Sequence, residues 1–286
     1  VEPVSQTPAA MLLLAAEEND VDKILELLEA GTPVDCTTDD GYTPLLLACN
    51  FGASEAAQCL LEHGANINQQ ASDKTTPLIL AAYAGHAEVI DVLFNPANPV
   101  APDKETVLDN GATAMYMAAQ EGHVPCITKL IKAGCDPDHS AEDGVTPLYV
   151  AAHEQHIPAV EELAKFSDVN FANKRGITPL YIAVQIGSKK AVDSLLKQGA
   201  NPTYRTNDGS TPVEVALFKG NREICNSFFD NGVPLDYTRP SDGNSAMCLA
   251  AYSNTKENLD CVRVRSTFYL IVWRPSMPLY FLSRSN

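Results

Sequence analysis

The segment EDGVTPLYVAAHEQH, residues Glu142–His156, decides how the rest of the chain is read. Its Thr146-Pro147 pair has the form of a helix start: Thr caps a first turn, and Pro fits the first helical position, where no N–H is needed. The same pair stands at Thr43-Pro44, Thr76-Pro77, Thr178-Pro179 and Thr211-Pro212. Weaker copies are Thr113-Ala114 and Ser245-Ala246, and an eroded first copy starts at Ala10. The starts fall at 10, 43, 76, 113, 146, 178, 211 and 245, in steps of 33, 33, 37, 33, 32, 33 and 34 residues. Self-similarity at such a period marks a repeat architecture.

The remainder of each unit recurs as well. Two small residues follow each anchor, at Ala48-Cys49, Ala81-Ala82, Ala118-Ala119, Ala151-Ala152 and Ala250-Ala251, and would let a neighbouring helix approach closely. A glycine stands nine residues after the anchor at Gly52, Gly85, Gly122, Gly187 and Gly220, and a second closes the unit at Gly31, Gly64, Gly134, Gly199 and Gly232. Both places suit a left-handed residue that ends a helix. An apolar pair precedes the closing glycine, as at Leu60-Leu61 and Leu195-Leu196. The segment before the next Thr-Pro is rich in Asn, Asp and Gly, as turns are. Each unit therefore reads as helix, turn, helix and an extended β-type turn.

This pattern resembles the ankyrin repeat, whose signature is T-P-L-H-x-A at a period of 33. The resemblance covers roughly residues 1–261 in about eight units and leaves 262–286 as an atypical tail. It implies an all-α solenoid of stacked helix pairs, with β-hairpin fingers projecting from one side and forming a curved surface with the inner helices. His86, His123 and His156 each lie ten residues after their anchor, so His156 reads as a repeat position opening a second helix. His153, seven residues after its anchor, falls where ankyrin proteins vary their contact residues.

The enzymatic alternative is a metal-dependent hydrolase built on His153, Glu154 and His156. Zinc chemistry of that kind needs H-E-x-x-H, which places two imidazoles on one helix face with the Glu activating water; here the spacing is one residue short. No P-loop, no G-x-G-x-x-G after a strand and no G-x-S-x-G occurs. The motifs imply no catalytic residue, no cofactor and no metal.

Composition narrows the partner. Formal net charge is −16, which argues against a nucleic-acid backbone or an anionic membrane and favours a partner with a basic face. The eight cysteines form no C-x-x-C pair and are spread among apolar residues, as reduced core cysteines of a cytoplasmic or nuclear protein would be. No apolar stretch has the length of a membrane span. The run Met11–Ala16 is too short for a secretory signal and leads into acidic residues.

Several features depart from the family pattern. The usual His three residues after Thr is replaced by Leu46, Ile79, Tyr116, Tyr149, Tyr181 and Glu214, and the three tyrosines are expected to pack between inner helices. The third unit carries four extra residues within Phe94–Gly111, expected to form an enlarged finger. The last unit breaks down after Val262, where the tail has four arginines and no acidic residue.

By resemblance, contact residues lie in the fingers and at the ends of the inner helices. The finger set includes Asp39, Asp40, Tyr42, Asp73 and Ile177; the helix-end set includes Phe51, Tyr83, Glu121, Glu154, Ile186 and Phe218. Two subsites are expected. One, acidic, contains Tyr42, Phe51 and Tyr83 and suits a basic-aromatic segment; the other lies near Ile177, Ile186 and Phe218, beyond the sign change at Lys174 and Arg175. The expected function is a non-enzymatic module that binds a protein or peptide. A substrate-recognition subunit of a ubiquitin ligase is an alternative within that class, although the tail segment PSMPLYFL departs from the helical box of such receptors. The family also suggests asparagine hydroxylation, at Asn68 in HGANIN and Asn170 in SDVN.

Overall fold

The computed structural model describes residues 7–233. Among them are fourteen helices and no strand. They run as pairs: α1 (Pro8–Glu17) with α2 (Val21–Glu29), α3 (Pro44–Phe51) with α4 (Ser54–Glu62), α5 (Pro77–Ala84) with α6 (Ala87–Leu93), and α7 (Ala114–Gln120) with α8 (Val124–Lys132). Then come α9 (Pro147–His153) with α10 (Ile157–Leu163), α11 (Pro179–Ile186) with α12 (Lys189–Lys197), and α13 (Pro212–Lys219) with α14 (Arg222–Asp230). The chain divides into two compact units between Pro212 and Val213. In the first, α1, α3, α5, α7, α9 and α11 pack in succession as an inner row, the even-numbered helices form an outer row, and each pair packs on itself. In the second, α14 buries Ile224, Phe228 and Phe229. The unit expected near 245 and the tail lie outside the described residues.

The two rows differ because their surroundings differ. A helix covered on several sides must be apolar nearly all round. Accordingly α5, PLILAAYA, buries every residue from Pro77 to Ala82. An outer helix needs one stripe: α12 buries Ala191, Val192, Leu195 and Leu196 and leaves its three lysines exposed. The small pairs, such as Ala81-Ala82 and Ala118-Ala119, are fully buried.

Each inner helix begins on a Thr cap. The hydroxyls of Thr43, Thr76, Thr113, Thr146 and Thr178 accept the N–H of Leu46, Ile79, Tyr116, Tyr149 and Tyr181, each at 3.3 Å. The first unit differs from expectation. Ala10 keeps the register but lies inside α1, which starts one turn earlier because Thr7-Pro8 supplies its own cap and first position.

The fingers also differ from expectation, being tight turns rather than strands. Each is closed by a pair of backbone bonds: Thr38 N–H to Tyr42 O with Gly41 N–H to Thr38 O, Ala71 with Thr75 and Lys74, Asn173 with Ile177 and Gly176. Two residues at each side are too few to register as a ladder.

The extra residues of the third unit do not enlarge its finger. The turn Leu108–Ala112 has the same bonds as Ala71–Thr75. The insertion lies earlier, between Leu93 and Asp103. A closing glycine is absent there, and the amide of Asn98 instead caps α6 by donating to Val92 O and Leu93 O, both at 2.9 Å.

Successive units are latched through their turns. The Asp35 carboxylate accepts Asn66 N–H at 3.2 Å, and the Asn68 side-chain carbonyl accepts Asp103 N–H at 2.8 Å. Asp138 and Asn170 do the same for Asp168 and Asn201. Histidines make a second latch. Nε2 of His86 donates to Asn50 O and that of His123 to Tyr83 O, each at 3.0 Å. Their rings lie against the glycine of the preceding unit: a Cβ on Gly52 would stand 2.5 Å from the His86 ring, and one on Gly122 would stand 2.6 Å from His156.

Candidate interaction surface

The histidines that open the zinc question are placed apart by this architecture. His153 is the last residue of α9, Glu154 caps it, Gln155 is left-handed at φ 62°, and His156 starts α10. The two imidazoles share no helix face. His156 packs on Gly122, while His153 pairs with the Glu154 carboxylate at 2.7 Å. Among the described residues, no group of three or more His, Cys, Asp or Glu is placed to hold a metal ion. None of the described helices is long and apolar enough to cross a membrane.

Large apolar side chains stand exposed at the ends of inner helices. Phe51 on α3 is 49% exposed and Tyr83 on α5 is 45% exposed, and these two helices pack directly on each other. An inner helix spends its apolar residues on its neighbours, so the last turn, beyond their reach, is where an aromatic can remain uncovered. The finger tips of the same two units carry Asp39, Asp40 and Asp73, all exposed. The Tyr42 hydroxyl donates to the Asp73 carboxylate at 3.3 Å and so ties the first finger to the second. Burial, then the Asp73 charge, pushes the Tyr42 phenol up. At Asp73, partial burial acts to raise the carboxyl, but hydrogen bonds from Thr75 and Tyr42 outweigh it and hold the group below its ordinary value.

Further along the row, Glu121 and Glu154 are exposed caps of α7 and α9. Ile186 is the last residue of α11 and is 36% exposed. Ile177 is different: it is buried, and lines the base of a depression instead of presenting a surface. Phe218, 68% exposed on α13, belongs to the second unit. Tyr116, Tyr149 and Tyr181, on α7, α9 and α11, are half-buried. Burial raises the phenols of Tyr116 and Tyr149.

Asn68 and Asn170 are half-buried and occupied. The Asn68 amide donates to Ala101 O while its carbonyl takes Asp103 N–H, and the Asn170 carbonyl takes Asn201 N–H. Sequence reading passed over Leu14, Val100 and Phe166, each more than half exposed. Phe166 had a visible signal, since it stands where other units place their closing glycine.

A family model described as ankyrin repeats matches residues 12–103, 97–173, 114–206 and 158–239. A stretch of 47 residues is 47% identical to the inactive serine/threonine-protein kinase TEX14 of Bos taurus. That stretch covers 16% of this chain and 3% of the relative.

Proposed function

The chain belongs to the ankyrin-repeat family, whose repeats are generally protein–protein interaction modules, and from this premise we propose that it binds a partner peptide or protein segment on the inner-helix ends and fingers of its first unit. The segment it suits carries basic residues beside an aromatic or aliphatic anchor. One observation carries this reading: Phe51 and Tyr83 stand exposed on adjacent inner helices, in units whose finger tips expose Asp39, Asp40 and Asp73. Aromatics held on a rigid surface are the usual anchors of an interface, and a few of them supply most of its binding energy. The acidic tips would speed and orient the approach of a basic segment more than they would tighten it. The role proposed is non-catalytic, in keeping with ankyrin repeats as interaction modules.

The test is a displayed library of random peptides selected on the intact chain and on the double variant Phe51→Ala, Tyr83→Ala, both confirmed to fold by circular dichroism. Selected peptides should be rich in Lys or Arg around an aromatic or aliphatic residue. They should bind the double variant roughly 30-fold or more weakly, the loss typical of a removed anchor. Equal binding to both proteins would overturn the assignment of this face.

A further inference from the structure

The fingers change sign at one place. The first four tips carry Asp39 and Asp40, Asp73 with Lys74, Asp109, and Glu142 with Asp143; the fifth carries Lys174 and Arg175 and no acidic residue. Between the fifth and sixth fingers lies a cavity of about 250 Å³, lined by Lys174, Arg175, Tyr181, Gln185, Asn207 and Asp208. Its walls are held rigidly. Asn207 N–H donates to Arg175 O at 3.1 Å, and the Asn207 amide donates to Lys174 O at 2.9 Å. Gly176 permits this approach, since a Cβ there would stand 2.8 Å from the Asn207 nitrogen.

Among the described residues, neither the Lys174 ammonium nor the Arg175 guanidinium forms an ion pair. The Asp208 carboxylate in the same cavity is turned back on its own loop, accepting from the Thr206 hydroxyl and from Ser210 N–H. Those bonds, the Thr206 hydroxyl first, hold it below the usual carboxylate range, so it stays charged. Two cations against one carboxylate leave a single positive charge. That balance suits a monoanion and disfavours a phosphate dianion. Arg also presents a planar fork that matches a carboxylate.

We propose that the cavity between the fifth and sixth fingers is a subsite for an Asp or Glu side chain of the bound segment, so that the partner sequence is bipolar. The basic and aromatic part lies over Phe51 and Tyr83, and the acidic residue seats between Lys174 and Arg175. The inference rests on the peptide-binding reading above and adds a charge rule to it.

The experiment selects the same displayed library on the intact chain, on Lys174→Glu with Arg175→Glu, and on Lys174→Gln with Arg175→Gln. The substituted side chains are exposed, so all three proteins should give the same circular dichroism spectrum. Peptides from the intact chain should carry Asp or Glu at a constant distance from their basic-aromatic part. The glutamate pair should select Lys or Arg at that position, and the glutamine pair no charge there. Peptides from the intact chain should bind the glutamate pair at least about tenfold more weakly, as expected when like charges are set opposite each other. Enriched peptides with an unchanged consensus on all three proteins would overturn the subsite while leaving the peptide-binding reading standing. A library that enriches nothing on the intact chain would overturn both.

Discussion

Inside each helix pair one residue sits at positive φ, and the residue facing it from the next unit decides what it can be. Gly52, Gly85 and Gly122 lie under the rings of His86, His123 and His156. Asn19 and Gln155 take the same conformation at φ 59° and 62°, and the next units offer Ala53 and Ser188 in place of a ring. The two exceptions are not equivalent. Asn19 accepts Ala56 N–H at 2.9 Å and so caps α4, which has no capping side chain of its own. Gln155 → Gly should therefore stabilise the protein by about 0.5–1 kcal/mol through relief of left-handed strain. Asn19→Gly should cost about 1 kcal/mol net, because the lost cap outweighs that relief. Gly64→Ala, with nothing within 4 Å, should cost about 1 kcal/mol. Gly122→Ala should cost a further 1–3 kcal/mol, approximately, because the His156 ring is in the way. Most of that extra should disappear when His156→Ala is added, leaving only the approach of the retained Cβ at 3.1 Å. Urea unfolding of each variant measures all of these. The repeat position of the histidines was legible from spacing alone; their seat on the preceding glycine was not, because it joins residues more than thirty apart.

The fingers carry their own rule at the scale of the element. Successive tips are zipped by a backbone bond, from Ser72 N–H to Asp40 O, Glu142 to Asn110, Lys174 to Asp143 and Asn207 to Arg175. In every case a glycine follows the acceptor, and a Cβ on that glycine would meet the incoming nitrogen at 2.8–3.3 Å. The second finger has Lys74 at this place, left-handed at φ 65°, and no such bond joins it to Asp109 among the described residues. The Lys74 ammonium reaches the Asp109 carboxylate at 2.7 Å instead, with both side chains more than half exposed. Such an exposed pair contributes little. Lys74→Gly should remove the strain and admit the missing hydrogen bond, for a net gain of about 1 kcal/mol after the entropy of the added glycine. The urea midpoint should rise, and the Asp109 amide should become protected from hydrogen exchange. The finger positions could be read from Asn, Asp and Gly, yet the extra residues of the third unit were misassigned to a finger. Their Pro and Asp content is equally that of a helix-ending loop, and only the Asn98 cap distinguishes the two.

At the scale of the molecule, stability in such arrays accumulates through neighbour contacts. The described cysteines illustrate how completely those contacts exclude water. Cys49, Cys59, Cys126, Cys135 and Cys225 are buried thiols, none of them in a disulfide. Burial pushes the thiols of Cys126 and Cys135 up to about 11, and that of Cys49 higher still. An unfolded thiol ionises near its ordinary value of 9.0, so below that pH both states are protonated and these groups leave stability unchanged. Above it only the unfolded chain loses the proton, and stability should fall as pH rises from about 9 toward 11. Urea midpoints in the presence of a reductant should be level from about pH 7 to 8.5 and decline beyond, with labelling of Cys49, Cys126 and Cys135 confined to unfolded protein. The all-helical repeat was legible because many copies of one pattern agree. Contact residues were less so. Exposure at Phe51 and Tyr83 follows from their place at helix ends, whereas Ile177, an apparent finger residue, is buried just before the Thr178 cap of α11.

The uneven zipping of the fingers also sets how the row yields under load. Four of its five joints are closed by short backbone bonds that salt does not reach, and the joint at Lys74 is held by a solvated ion pair. Ions screen such a pair within about 10 Å at 0.1 M salt. The finger row is then zipped along most of its length and loosest at one joint, where the Asn68 latch and the α5–α7 packing persist while ionic strength tunes the contact at the tips. That soft joint falls between Phe51 and Tyr83 on one side and the cavity at Lys174 and Arg175 on the other. A bound segment that spans it acts as a splint.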